Sequence, residues 1–557
     1  MVERVVVDRV VLGRIATLAG ASGLAEVEAI AIADGVVVQV GKRADIEALA
    51  GPATEYWRLP PGSGVVPGMT DAHLHLGMAA AAATGVRLGG LPDRAAVWAA
   101  IAEAHAARVA AGDREGWLLG DGWSLDQLGD WPTGADLERL APSRPVALWS
   151  HDHHARWASP AALVRAGIGA LHDGPVGLVR RDGSGAPTGV LHEAAATLLD
   201  PSIPAATVAE RAAALQRYAV TLAALGVTGV HDPGDLAVSA ALDAVLLYRA
   251  LAEEGRLPLR VAASVREIQL EAAIAAVMRT GQGGGRGSGR ARDGWLKLFA
   301  DGSLGSRSAA LLTPYEAGDP GGSPVGGPAG MITHDPDDML LVAMRAAVNG
   351  IAVQIHGIGD AAVRAALDVL EHLPRVAGVA HRVEHAQLVD QADIPRFGRA
   401  GIAASVQPCH LCSDAPAVEH AWGARSRDAF PIAALDRAGT LIPFGTDAPV
   451  ESPDPWRNLA AAVRRCDPSW PTDRDPFHPE QSIDVTRALR AACLDPALAL
   501  GHAGLGRLLP GSPADLLVIP WDGLADPGTR GEHLAATRPM ATLIDGAVVY
   551  RRDDFDP

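Results

Sequence analysis

Cysteine is scarce, with four in 557 residues. So few thiols exclude a disulfide scaffold and suit a reducing compartment. Long hydrophobic runs are missing as well: no stretch approaches the ~18–20 apolar residues of a membrane span. The opening MVERVVVDRVVLGR breaks each apolar stretch with a charge, unlike a secretory signal. Nor is there an excess of positive charge. The 48 Lys and Arg against 65 Asp and Glu leave −17 at neutral pH, and an acidic surface repels phosphate backbones, so no nucleic-acid partner is expected. What is present, 48% hydrophobic and 20% charged residues, is the balance of a folded globular chain. The length accommodates several units of ~150 residues or one large barrel with additions. The expectation is a soluble cytoplasmic protein, with no membrane partner and the makeup of an enzyme.

Both ends of the chain read as short strands. EVEAIAIADGVVVQVG turns at Asp34 and Gly35, and ATLIDGAVVYRR at Asp545 and Gly546; alternating β-branched residues around Asp-Gly predict hairpins. The two ends, residues 1–62 and 501–557, are expected to pair as one small β-sandwich domain. Between them lie eight short apolar segments, most followed by Ala- and Leu-rich helical stretches: GVVPGMTDAHLH, GVTGVHD, LRVAASV, DGWLKLFAD, IAVQIHG, HRVEHAQ, IAASVQP and LIPFGTD. Eight such alternations predict an α/β fold of the TIM-type (β/α)8 barrel class. Its first strand falls in residues 63–79 and the remainder in 221–500. The interval between the first two strands far exceeds the ~30 residues of a βα unit, so residues 80–220 are assigned to an inserted subdomain. That insertion holds Trp98, Trp117, Trp123, Trp131, Trp149 and Trp157, half of the chain's 12 tryptophans. Residues 281–292, GQGGGRGSGRAR, read as a mobile loop.

Chemistry in such a barrel belongs at the C-terminal ends of its strands. Polar residues recur there: His73, His75, His231, Lys297, His356, His385, Gln407 and Asp447. His73 and His75 are two apart, so in a strand both imidazoles point to one side and can share a metal ion. His356 and His385, taken alone, also fit satisfied core histidines, and Asp447 a turn residue before proline. As a set at one end of the barrel they point to metal ligation.

The string PGMTDAHLH (residues 67–75) resembles the first barrel strand of the amidohydrolase superfamily, whose hallmark is PGxxDxHxH. The resemblance extends over almost the whole chain. It is carried by GDGW (120–123), DHHARWASPAAL (152–163), GVTGVHDPG (226–234), LKLFADGSLGSRSAAL (296–311), QIHGIGDAAV (354–363), RVEHAQ (382–387), SVQPCHLCSD (405–414) and FGTDAPVESPDPW (444–456). It points to amidohydrolase family 3, which includes proteins like N-substituted formamide deformylase. The resemblance implies two divalent ions, zinc first and manganese, cobalt or iron as alternatives. By it His73, His75 and Asp447 hold one ion and His356 and His385 the other, with carboxylated Lys297 bridging them. Hydroxide generated from a metal-activated water then attacks a substrate carbonyl, and Asp447 carries the proton to the departing nitrogen. His231 and His154 match blocks that keep pocket residues and are candidates to bond the carbonyl oxygen, with structural roles equally open. Trp123, Phe299, Gln407 and His410 are candidate pocket residues. For Lys297, lying in an apolar strand, a plain alternative is neutralisation by Asp301.

Other motifs lead nowhere. Cys409 and Cys412 have CxxC spacing but no second pair to complete a zinc site. His192 and Glu193 are followed by three alanines, so HExxH is absent. His151, His153 and His154 resemble a cluster, yet strand alternation sets His154 opposite the other two. The leading reading is hydrolysis of a C–N bond in a small N-acyl or N-formyl amide. The alternatives are a deaminase or cyclic-amide hydrolase acting on a heterocycle, and a barrel that binds without catalysis. Filled ligand positions oppose the last, and Lys297 opposes the mononuclear deaminases. A homodimer is expected only by analogy with related proteins.

Overall fold

The alternating apolar segments form seven consecutive parallel strands in the computed structural model. They are β1 (Met69–Asp71), β2 (Val227–Asp232), β3 (Arg260–Arg266), β4 (Ala291–Phe299), β5 (Val353–Gly357), β6 (Arg382–His385) and β7 (Ala403–Ser405), each pairing with the next. The structure describes the chain except residues 1–5, 21–22, 152–154, 170–178, 236–238, 284–288, 319–323, 325, 468–469, 471–473 and 526–532. His153 and His154, and the centre of the glycine-rich segment, lie outside the described residues.

The expected eighth strand is irregular, in part because Pro443 has no N–H to give to a ladder. It still closes the barrel. The N–H groups of Ala404 and Val406 donate to the carbonyls of Leu441 and Pro443, and that of Ala72 donates to Phe444. Gly445 permits this closure, since a Cβ there would stand 2.5 Å from the His73 nitrogen. The helix Asp360–Glu371, which follows β5, buries Ala362, Val363, Ala366, Leu367, Val369 and Leu370, the 3–4 spacing of a helix face packed on a sheet.

Strands from both chain ends form one eight-stranded sheet, joined where Ser63–Pro67 runs antiparallel to Leu516–Pro520. Both Asp-Gly pairs turn hairpins there. Asp34, Gly35, Asp545 and Gly546 all have positive φ, as a two-residue type I′ turn demands. Val11, Ile30, Trp57, Val65, Leu516 and Leu543 fill an apolar cluster of this sheet.

Residues Gly77–Tyr218 form a second compact unit. It contains a six-stranded sheet and a core of Trp123, Trp157, Val97, Ile101 and Leu148. Among the described residues no helix is long and apolar enough to cross a membrane.

Candidate metal centre

β1 ends at Asp71, so His73 and His75 sit just beyond the regular strand that the sequence pattern assigns them to. Backbone bonds hold them all the same: Leu74 N–H donates to the His231 carbonyl at 3.2 Å, His75 N–H to Ala448 at 3.0 Å and Asp447 N–H to the His73 carbonyl at 2.6 Å. Asp71 ties this turn together by accepting from the Thr446 hydroxyl at 2.6 Å, the Thr446 N–H at 3.0 Å and the His73 N–H at 3.1 Å. Burial pushes the Asp71 carboxyl up to about 7 against those bonds.

Four imidazoles converge at this end of the barrel, each with one ring nitrogen committed. His73 Nδ1 meets Glu384 Oε2 at 2.5 Å, His75 Nδ1 meets the Gly234 carbonyl at 2.7 Å, and His385 Nδ1 meets Gln407 Oε1 at 2.9 Å. In each the partner is an acceptor, so Nδ1 carries the proton and Nε2 keeps its lone pair. His356 is reversed: Nε2 donates to the Gly302 carbonyl at 2.9 Å and leaves Nδ1 uncommitted. The free Nε2 atoms of His73 and His75 stand 3.4 and 3.3 Å from Asp447 Oδ1. The His385 ring is 5.0 Å from that of His73 and 4.5 Å from that of His356. Ligand atoms of His73, His385 and Asp447 all fall within 4.8 Å of one another. Orienting acceptors behind lone pairs that face one carboxylate are what a metal site requires, and the residues present fit a divalent ion.

The electrostatics agree with this donor set at His73 and His385, whereas the Asp447 carboxylate raises His75 against its burial. Burial holds His73 down to about 4, keeping its imidazole neutral, and His385 is held far down by burial and by His356. Asp447 stays well below the usual carboxylate range despite its burial, because His73, His75 and His385 surround it. Asp447 and His385 also occupy left-handed backbone, with φ of 61° and 73°; for non-glycine residues that conformation carries strain and is concentrated at functional sites.

Lys297 lies inside the barrel wall, 1% exposed, and its Nζ has no hydrogen-bond partner. Burial pushes the amine down to about 8. Asp301, the expected neutralising partner, instead accepts from the N–H groups of Ile358, Gly359 and Ala310 and stands 3.4 Å from His356 Nε2. An orphaned buried amine is expensive, and conversion to an anionic carbamate ligand would give its terminal atoms partners.

Glu384 and Arg382 did not figure among the sequence candidates. Glu384 pairs with Arg382 Nη2 at 2.9 Å while accepting from His73. Burial alone would raise Glu384, but Arg382 and His73 hold it below the usual carboxylate range. Arg382 also donates through Nη1 to His231 Nδ1 at 3.0 Å, donates to Gln354 Oε1, and stacks 3.9 Å from the Trp295 ring centroid. The one sequence signal is RVEH itself, which sets opposite charges at alternate positions of a strand that the barrel buries throughout.

Of the remaining candidates, His231 is turned to Arg382 and Trp295. Gln407 orients His385. His410 opens the helix His410–Trp422 with its buried, unpartnered Nε2 at 3.8 Å from Asp447 Oδ2. Phe299 is half-buried, 5.2 Å from the His356 ring and 4.8 Å from Lys297 Nζ. Trp123 is 1% exposed in the core of the second unit, where its Nε1 donates to the Leu148 carbonyl; packing accounts for it, and it offers little surface to a substrate.

A family model described as "Amidohydrolase family" matches residues 62–550. The chain is 30% identical over 560 residues to protein LONG AFTER FAR-RED 3 of Arabidopsis thaliana, covering 95% of this chain and 89% of that protein. It is 28% identical to N-substituted formamide deformylase of Arthrobacter pascens, covering 94% of this chain and 95% of the other. Among solved structures, an uncharacterized metal-dependent hydrolase from Pyrococcus horikoshii OT3 superposes with a TM-score of 0.75 at 25% identity, covering 94% of this chain and 99% of that one.

Proposed function

The chain belongs to the amidohydrolase family, hydrolases of carbon–nitrogen bonds other than peptide bonds, and we propose that it cleaves a small N-acyl or N-formyl amine at a binuclear centre. In this reading His73, His75 and Asp447 would hold one divalent ion and His356 and His385 a second, with carboxylated Lys297 as a ligand they would share. Nitrogen and oxygen donors without thiolate suit zinc. The observation that carries the reading is the set of four imidazoles, each fixed by one nitrogen with the other left free. Similarity to a formamide deformylase supports the choice of substrate class.

Bound ions would supply Lewis acidity, which lowers the pKa of water toward ~7 and polarises a carbonyl. The chain's own residues do the rest. Glu384 accepts a short hydrogen bond from the Nδ1–H of His73 and so makes Nε2 a better donor. Arg382 keeps that carboxylate ionised, and His231 braces Arg382 from the other side. Lys297 is made reactive by burial, since only its neutral amine adds to carbon dioxide, losing one proton as the N–C bond forms. Asp447, ionised and within reach of His73 and His75 Nε2, accepts the proton of the attacking water and returns it to the leaving nitrogen.

Hydrolysis assays across N-formyl amines, N-acetyl amines and cyclic amides, on protein purified without chelator, test this function. Turnover of the N-formyl or N-acetyl compounds is expected. Turnover confined to cyclic amides or to aminated heterocycles would move the chain to the alternative reading.

A further inference from the structure

Arg266 ends β3 and pairs in register with Lys297 on β4. Its guanidinium carbon sits 4.3 Å from the centroid of the Phe299 ring, the same ring that stands 4.8 Å from Lys297 Nζ and 5.2 Å from His356. One aromatic wall therefore joins this cation to the candidate metal centre. The half-buried side chain makes a single hydrogen bond, from Nη1 to the Asp235 carbonyl at 3.2 Å, and among the described residues it forms no direct ion pair, although the Asp235 carboxylate acts on it electrostatically. Several shielded arginines of the same unit are matched to carboxylates, Arg260 to Asp515 and Asp545, Arg382 to Glu384, Arg487 to Asp436 and Asp495, whereas the buried Arg465 is not. The remaining donors of Arg266 are not sealed in protein, since none is a buried atom without a partner. Burial pushes its guanidinium down to about 10, which still leaves it charged at neutral pH.

A guanidinium stacked on a ring keeps its edge donors free, and the fork they make fits a carboxylate with two parallel bonds. From this juxtaposition we infer that Arg266 is a specificity-determining residue that receives a carboxylate of the substrate, so that the amide cleaved is of the N-acyl or N-formyl amino acid class. Phe299 then flanks the apolar part between the carboxylate and the scissile bond. The inference rests on the hydrolytic reading above and narrows its substrate.

The test compares N-formylphenylalanine, as the racemate, with its carboxamide on metal-loaded protein, by hydrolysis and by calorimetric binding. A hydrogen-bonded charge contributes enough to predict a roughly 10- to 100-fold preference for the acid in kcat/KM. In Arg266→Gln that preference collapses, mainly through KM, with the metal content per chain unaltered; Arg266→Lys restores part of it and keeps the test readable should the Gln variant misfold. Equal treatment of acid and carboxamide by the wild type, or binding of neither, overturns the inference. So does an Arg266→Gln variant that loses metal and acts equally poorly on both compounds, because Arg266 would then serve a Lys297 carbamate. Acid-selective binding lost in Arg266→Gln without hydrolysis of either compound would uphold the carboxylate site and remove the hydrolytic reading. Hydrolysis of both at equal rates would do the reverse.

Discussion

Glu384 Oε2 stands 2.5 Å from His73 Nδ1, and both side chains are at most 1% exposed. The two residues are 311 positions apart in sequence. Their contact exists because barrel closure brings β6 opposite the segment that follows β1.

That contact predicts a split outcome for Glu384→Gln. Loss of an orienting carboxylate behind a ligand histidine typically lowers metal affinity about 10–100-fold, measurable by competition with a chelator. The same change leaves Arg382 without its counter-ion in a dry interior, where breaking a buried pair costs about 3–5 kcal/mol. Thermal denaturation should therefore shift down even in the metal-free protein. Unchanged metal affinity would remove Glu384 from the site.

Lys297→Ala should lose turnover and part of the bound metal. Acetate or formate at high concentration should return a fraction of both by filling the space of the missing carbamate. Wild-type metal content and turnover in the variant would reject a ligand role for Lys297.

Asp447→Asn retains the shape and removes the base. Acid–base transfer contributes about 10²–10⁴-fold, so kcat of the metal-replete variant should fall by at least that range. The acidic limb of the pH–rate profile, which belongs to the coupled unit of Asp447 and water, should move or vanish. A kcat within a few-fold of wild type would assign the proton to another group, for which His410 Nε2, 3.8 Å from Asp447 Oδ2, is a candidate outside the proposed ligand set.

The barrel was largely legible in the sequence, because parallel strands buried on both faces read as apolar runs ending in polar residues. The eighth run departs from a regular strand, in part because Pro443 lacks an N–H, while His73 and His75 lie past the end of β1, held by bonds to residues 231, 447 and 448. Local pattern cannot show such bonds. The candidate histidines could be picked out from position alone, whereas Glu384 and Arg382 became functional candidates only once closure showed what they touch. Trp123 misleads for a related reason: a tryptophan in an insertion reads the same whether it lines a pocket or, as here, fills a core.

His381 makes stability depend on pH in a stated direction. Its Nδ1 accepts from Val353 N–H at 3.0 Å and its Nε2 donates to the Pro374 carbonyl at 3.1 Å, so the folded protein uses the neutral ring. Burial lowers its pKa. The stability this ring contributes is complete above the ordinary histidine value of ~6.5 and is lost as pH falls below it, because the unfolded chain takes up the proton first. His381→Asn keeps an acceptor near the Nδ1 position without titrating. Its melting temperature should fall less than that of wild type between neutral and mildly acidic pH; an equal fall would mean His381 does not contribute.

Metal stoichiometry tests the central claim most directly. Elemental analysis of protein grown with added zinc and manganese and purified without chelator should find about two divalent ions per chain, the number a binuclear centre holds. His73→Ala and His385→Ala should each lower that number. A chain with no transition metal, retaining its fold by circular dichroism, would contradict the account.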